Sequence, residues 1–268
     1  MESTTVSFSS KDVMALRQKT GMGMMDCKKA LTQAGGDMAA AEEWLREHTK
    51  GKMETRTERT TGEGRIGIAI DGDSAVIVEV RTETDFTAKN DDFVAMVADV
   101  AKMALQQPIG DVTATDEMNK RIDDQRLTTK ENVNFARGVR IDGGSFGAYV
   151  HHDGKRAALV QIDGNADAEV LKGICQHIVF HDPMGISDKD VPADELDRIR
   201  REAVAEATES GKPAEIAEKI AEGKVRKFLE ERTLLAQKFV LDESKRVREV
   251  LPSDANVTRF IRYTLGSD

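Results

Sequence analysis

A glycine-framed hairpin pattern occurs twice in the chain, and that repetition constrains the fold more than any other feature. Gly64-Arg65-Ile66-Gly67 opens an alternating run through Ile68 and Ile70, turns at Asp71-Gly72-Asp73 and returns as Ala75-Val76-Ile77-Val78-Glu79-Val80. Gly144-Ser145-Phe146-Gly147 opens the same pattern, with Tyr149, a turn near Asp153-Gly154 and a return as Ala157-Ala158-Leu159-Val160-Gln161-Ile162. Apolar residues at period two on either side of an Asp/Gly turn read as a β-hairpin. Each hairpin leads into an apolar stripe at helical spacing, Phe93, Val97, Val100 and Ala104 in the first case and Val170, Ile174 and Ile178 in the second. A sheet face needs such a helix to cover it, so the pattern predicts an α+β protein with a core in two related halves, residues 56–140 and 141–268.

The remaining segments read as helices. Ser9 or Ser10 can cap a first one with Val13, Leu16, Arg17 and Thr20 along one side; Gly35-Gly36 ends a second; Asp37 caps a third carrying Met38, Ala41, Leu45 and His48. Trp44 is expected to close this small core, giving a three-helix module over residues 1–55. Lys50 to Gly62, charged and without an apolar period, reads as a linker or a solvated helix. Pro192 to Leu235 is charged and helix-favouring, with Leu196, Ile199 and Ala203 on one arm and Ile216, Ile220, Phe228 and Leu229 on the other, broken at Ser210-Gly211-Lys212-Pro213. Narrow apolar seams with polar flanks predict an antiparallel coiled-coil hairpin at about 192–235, inserted in the second half. Phe239-Val240-Leu241 returns the chain to the body, and Phe260-Ile261-Arg262-Tyr263 alternates as a last strand.

Composition narrows the function classes. The two cysteines, Cys27 and Cys175, stand far apart with no zinc-type spacing, so reduced thiols in a cytosol are expected rather than a disulfide framework. Met1-Glu2-Ser3-Thr4-Thr5 lacks the basic and apolar regions of a signal peptide, and no apolar run approaches a membrane span, which reads as a cytoplasmic protein with no membrane partner. A net charge of −9 with 4% aromatic residues opposes a broad nucleic-acid footprint, leaving a protein or small molecule as the partner.

Four segments could carry chemistry. Gly21 and Gly23 before a helix suggest a phosphate cradle, but the spacing is not that of a P-loop and Asp26 in the first turn would repel a phosphate. On that helix Met24, Cys27, Leu31 and Ala34 form a stripe that would face a core, whereas Met25 lies beside Lys28 and Lys29 on the polar side. A docking surface and an ordinary helical core both fit this pattern. Gly62-Glu63-Gly64-Arg65-Ile66-Gly67 matches the dinucleotide fingerprint in its letters, yet a strand follows where that motif requires a helix, so strand-start glycines are expected. His177 and His181 share a helix face without a third ligand, which favours packed or capping histidines over a metal site; His151-His152 beside a turn establishes nothing alone. In Glu83-Thr84-Asp85-Phe86-Thr87-Ala88-Lys89-Asn90, Phe86 is either a lid folded onto the core or an anchor projected into a partner.

Thr20 to Leu31, the Thr84 to Asn90 segment, Glu131-Asn132-Val133-Asn134 and Ser210-Gly211-Lys212-Pro213-Ala214-Glu215-Ile216-Ala217-Glu218-Lys219 together, in this order along nearly the whole chain, closely resemble the translation elongation factor Ts family. That resemblance implies a guanine nucleotide exchange factor for elongation factor Tu, with a ubiquitin-associated-like N-terminal module, a two-part core and a coiled-coil hairpin. It implies no bond-making reaction and no cofactor or metal. The module would dock on the partner's GTPase domain through Arg17, Met24, Met25 and Lys28; Asp85 and Phe86 would approach its magnesium and nucleotide region; His151, Val240 and Leu241 would supply contacts from the second half. Met22 stands where the family usually has alanine, Thr87 where it commonly has valine, and Asn134-Phe135-Ala136-Arg137 departs from a double-arginine ending. A general protein-binding adaptor is the rival class, and a metal enzyme at His177 and His181 a distant third.

Overall fold

The computed structural model describes residues 8–54 and 58–267; the first seven residues and 55–57 in the middle of the expected linker lie outside them. Two units are distinguished, one running to Ile141 and including the terminal segment from Leu265, the other Asp142–Thr264.

The first unit begins with α1 (Ser10–Thr20), α2 (Met24–Gln33) and α3 (Met38–Glu54). Ser9 caps α1 reciprocally with Asp12: the Ser9 amide donates to the Asp12 carboxylate at 2.7 Å and the Asp12 amide to Ser9 Oγ at 3.3 Å. Gly21, at φ 67°, stops α1, and Gly35 and Gly36, at 64° and 88°, stop α2. Asp37 accepts from the Ala40 amide at 2.7 Å and starts α3. Val13, Leu16, Met22, Cys27, Ala30, Leu31, Ala41 and Leu45 are buried together, with Trp44 half-covered at the margin. The expected inward position of Met24 is corrected: it is 43% exposed and Met22 takes the buried place. Gly23 is the N-cap, so Met24 is the first residue of α2 and precedes the stripe that Cys27, Ala30 and Leu31 turn inward. The expected linker is helical in its first part, since α3 continues to Glu54.

β1 (Glu63–Asp71) and β2 (Ser74–Thr82) then form an antiparallel hairpin across Gly72-Asp73, in register from Glu63↔Thr82 to Asp71↔Ser74. A one-turn helix α4 (Asp85–Lys89), α5 (Asp91–Ala104), β3 (Gly110–Asp111), α6 (Asp116–Thr129) and β4 (Val133–Asp142) complete the unit, with sheet order β1-β2-β4-β3. Val76, Val78 and Val80 meet Phe93, Met96, Val97 and Val100 of α5 and Met118 and Ile122 of α6 in a continuous core.

The second unit repeats the plan. β5 (Ser145–Val150) and β6 (Arg156–Asp163) pair antiparallel and α7 (Ala168–His181) covers them; α8 (Ala193–Glu209) and α9 (Ala214–Arg232) form the hairpin; β7 (Lys238–Phe239), β8 (Asp242–Arg246) and α10 (Val247–Val250) lead to β9 (Asn256–Thr264), which pairs antiparallel with β6. The framing glycines explain why the motif recurs. A Cβ on Gly64 would lie 2.2 Å from the Val80 carbonyl oxygen and one on Gly144 2.4 Å from that of Ile162, so the strand start crosses its partner's end only without a side chain. A Cβ on Gly67 would lie 2.7 Å from Val97 and one on Gly147 2.4 Å from Leu171, so the second glycine of each pair seats the covering helix. The dinucleotide-like letters thus serve strand and helix packing.

In the hairpin, Gly211 at φ 75° and Pro213 make the turn. The seam differs from expectation in one residue type: Ala203 and Ala207 of α8 and Ala217 and Ala221 of α9 are the buried positions, Leu196, Ile199, Ile220, Phe228 and Leu229 are half-buried, and Ile216 is exposed. Alanines let the helix axes approach closely, which pushes larger side chains to the margins of the seam. Ile216 sits one position before the buried Ala217 and is turned out of it.

Candidate protein-docking surface

The surface of the first unit is built at two places. Met24, Met25 and Lys28 lie within one turn of the exposed side of α2, with Met25 75% exposed, and Arg17 is exposed in the last turn of α1, which leads into them through Gly21-Met22-Gly23. Met14 of α1 is exposed as well, a residue that the sequence pattern did not single out although it lies off the Val13 and Leu16 stripe. Polarizable thioethers beside lysine and arginine give an adaptable surface for a protein partner rather than an anion cradle.

The second place is α4. Thr84 Oγ1 accepts from the Thr87 amide at 3.3 Å and caps it, while Asn90 accepts from the Asp92 amide at 2.8 Å and starts α5, so the expected loop is a capped helical turn. Thr87 and Ala88 point inward and are buried, leaving Phe86 83% exposed. The lid reading of Phe86 is thereby overturned. Asp85 is tied to Lys89 Nζ at 2.6 Å, and that bond raises the Lys89 pKa.

Glu131, noticed in the sequence only through its motif, holds this turn. Its carboxylate accepts from Thr82 Oγ1 at 2.8 Å, the Thr84 amide at 3.1 Å and Thr84 Oγ1 at 2.6 Å. Burial acts to raise the Glu131 pKa, but hydrogen bonds from the Thr84, Thr87 and Thr82 side chains and the Thr84 amide outweigh it and hold the carboxyl below its ordinary value. Beside it, the Asn132 amide donates to Glu83 Oε1 at 2.6 Å and Asn132 Nδ2 to the Arg59 carbonyl at 2.8 Å. Thr87, one of the departures from the family pattern, is accommodated by this polar cluster.

The other sequence-selected residues lie in the second unit. His151, half-buried at the end of β5, shares a 2.9 Å hydrogen bond between Nδ1 and the Tyr149 hydroxyl. Val240 is half-buried and its amide donates to His177 Nδ1 at 3.2 Å; Leu241 beside it is 63% exposed, above Gly173 of α7. With Nδ1 accepting, the 2.9 Å contact of His177 Nε2 with Gln237 Oε1 is a donation from the ring. Burial first and the neighbouring His181 second push the His177 pKa down to about 4, so the ring is neutral. Both of its nitrogens are occupied, which removes it as a metal ligand; it positions the Val240-Leu241 corner instead. Among the described residues no cluster of histidine, cysteine, aspartate and glutamate could hold a metal ion, and no helix is long and apolar enough to cross a membrane. Burial also raises the pKa of both thiols, that of Cys175 to about 12.

Exposed methionines on α2 and an exposed phenylalanine on the capped turn α4 are features of the class of protein-docking factors. Comparison with known proteins identifies its kind. A family model described as elongation factor TS matches residues 83–267, and one described as the N-terminal part of mitochondrial elongation factor Ts matches residues 1–52. Elongation factor Ts of Thiobacillus denitrificans is 46% identical over 265 residues, covering 95% of this chain and 90% of that protein; the Nitrosomonas eutropha and Thioalkalivibrio sulfidiphilus proteins of the same name are 38% and 39% identical with the same coverage. The chain belongs to the elongation factor Ts family, and its role is that of a nucleotide exchange factor in translation elongation.

Proposed function

We propose that the protein binds elongation factor Tu in its GDP form, drives GDP out by disturbing the magnesium and phosphate site, and stabilises the nucleotide-free partner until GTP enters. In this reading Arg17, Met24, Met25 and Lys28 dock the GTPase domain, Asp85 and Phe86 act at the nucleotide side, and His151, Val240 and Leu241 add contacts from the second unit. The thermodynamics require no covalent step: a factor that prefers nucleotide-free partner over GDP-bound partner weakens GDP binding by the same ratio. The observation that carries the proposal is Phe86, a large aromatic left 83% exposed on a helical turn whose cap is fixed from behind.

An aromatic anchor at an interface contributes about 2 kcal/mol or more, so Phe86→Ala slows GDP release roughly tenfold or more. Stopped-flow release of a fluorescent GDP from elongation factor Tu measures this, and an unchanged rate refutes the role of Phe86. Equal affinity for the partner with and without saturating GDP would instead make the protein an adaptor, since a ligand without differential affinity shifts no equilibrium.

A further inference from the structure

The docking turn is tied to the last turn of α6, and the Phe86 turn to Glu131, the residue that follows the C-cap of that helix. Met22, inside the glycine turn, is buried together with Leu127 of α6 in the core of the three-helix module. Gly21 rests on the neighbouring residue: a Cβ there would lie 3.1 Å from Thr128 Cγ2 and 3.5 Å from Thr128 Cα. One turn earlier, Arg46 of α3 reaches Asp124 with Nη2 to Oδ1 at 2.7 Å. Another side of α6 is fixed to the first-unit core by Met118 and Ile122, both nearly inaccessible, and by Arg121 Nε to Asp99 at 3.0 Å. α6 ends at Thr129, and its C-cap Lys130 lies in the left-handed region at φ 62°, with its amide closing on the Arg126 carbonyl at 2.9 Å. The next residue is Glu131, which holds Thr84 and with it the turn that presents Phe86.

We infer that α6 is a strut that sets the docking surface of the three-helix module and the Phe86 turn in one fixed relation, with Leu127, Asp124 and Arg46 as positioning residues for nucleotide release. The inference rests on the exchange reading above. A module clasped to α6 delivers Phe86 to the nucleotide side as soon as it docks, so insertion is intramolecular and pre-oriented. A module that is folded and still docks, but is released from α6, leaves Phe86 to search for its site. Loss of pre-orientation lowers the rate of the step that follows docking and leaves docking itself alone. The clasp is suited to this because its two ends are independent: the ion pair and the Met22 and Leu127 contact face the module, and the Glu131 carboxylate faces α4.

Asp124→Arg places two cations at the clasp, and Arg46→Asp with Asp124→Arg restores an opposite-charge pair; Leu127→Ala weakens the apolar part separately. In full-length protein titrated against elongation factor Tu carrying fluorescent GDP, Asp124→Arg and Leu127→Ala are expected to lower the maximal release rate about tenfold, with the half-saturating concentration unchanged. The double charge exchange recovers the maximal rate. Circular dichroism and amide exchange in α1–α3 establish that each variant keeps its module folded. Wild-type maximal rates in both folded single variants, a rise in half-saturating concentration alone, or failure of the charge exchange to recover the rate would overturn the strut. Phe86→Ala run in parallel separates the two readings: if it releases GDP at the wild-type rate the exchange role of Phe86 fails, whereas a slow Phe86→Ala beside fast clasp variants refutes the strut alone.

Discussion

Replacement of Glu131 tests how firmly the Phe86 turn is held. The carboxylate accepts from Thr82 Oγ1, Thr84 Oγ1 and the Thr84 amide at 2.6 to 3.1 Å, and the Thr87 side chain adds a further hydrogen bond. Hydrogen bonds to a charged acceptor contribute about 1.5–3 kcal/mol each, but these share one side chain and do not add, so Glu131→Ala is expected to cost on the order of 3 kcal/mol. Glu131→Gln keeps one acceptor oxygen for Thr82 and the Thr84 amide and turns its amino group toward Thr84 Oγ1, reversing one bond for a cost of about 1 kcal/mol. The pH dependence has a definite sign. The folded-state pKa of Glu131 is lowered from 4.5, so its contribution is complete above that value and is lost as pH falls through the folded pKa, where the unfolded chain has already taken up its proton. Urea unfolding at neutral pH and again below pH 4.5 measures both effects, and the gap between wild type and Glu131→Gln narrows in acid. Amide exchange at Thr84 to Asn90 reports the turn directly and accelerates in Glu131→Ala. An alanine variant within about 0.5 kcal/mol of wild type, with exchange in the turn unchanged, would refute the claim that Glu131 fixes Phe86.

Two further outcomes follow from other parts of the structure. His177 is buried neutral with a pKa of about 4 against an ordinary 6.5, so the unfolded state binds more protons between those values; stability is full above 6.5 and falls toward pH 4 with a slope of up to about 1.4 kcal/mol per pH unit, and chemical unfolding of wild type against His177→Gln across that range shows the variant losing this slope. In the α8–α9 hairpin, Ala217→Leu overpacks an alanine seam and is expected to cost about 1–3 kcal/mol in thermal unfolding, whereas Ile216→Ser, one residue away and exposed, stays within about 0.5 kcal/mol.

Much of the fold was legible because its determinants are local. The hairpins announce themselves by alternation and Asp/Gly turns, and the helix starts by Ser9, Asp37 and the glycines that precede or follow them, each of which acts within four residues of its own position. The framing glycines were readable as strand starts for the same reason, since Gly64 and Gly144 had to meet the end of the strand each hairpin supplies. What resisted reading was the choice between neighbours. Met22 and Met24 have the same side chain, and only the N-cap at Gly23 decides that one is buried and the other projects. Ile216 and Ala217 differ by one step around a helix, and an apolar stripe cannot say that the seam is narrow enough to prefer the smaller residue.

The candidate docking surface shows the same division for a different physical reason. Exposure of Met25 follows from its lysine neighbours, which lie on the same helix face, but the turn that carries Phe86 is held by Glu131, distant in sequence and brought close by β2 and β4. The sequence around Phe86 alone supports lid and anchor equally, since both roles favour an aromatic. The threonines at 82, 84 and 87 are what distinguish them: hydroxyls at a strand end, at the N-cap and in the first turn of a helix converge on one acceptor, which turns Thr87 inward and leaves Phe86 outward. A signal for the anchor was therefore present as a polar pattern flanking the aromatic, and it became readable only once the fold supplied the glutamate that the pattern serves.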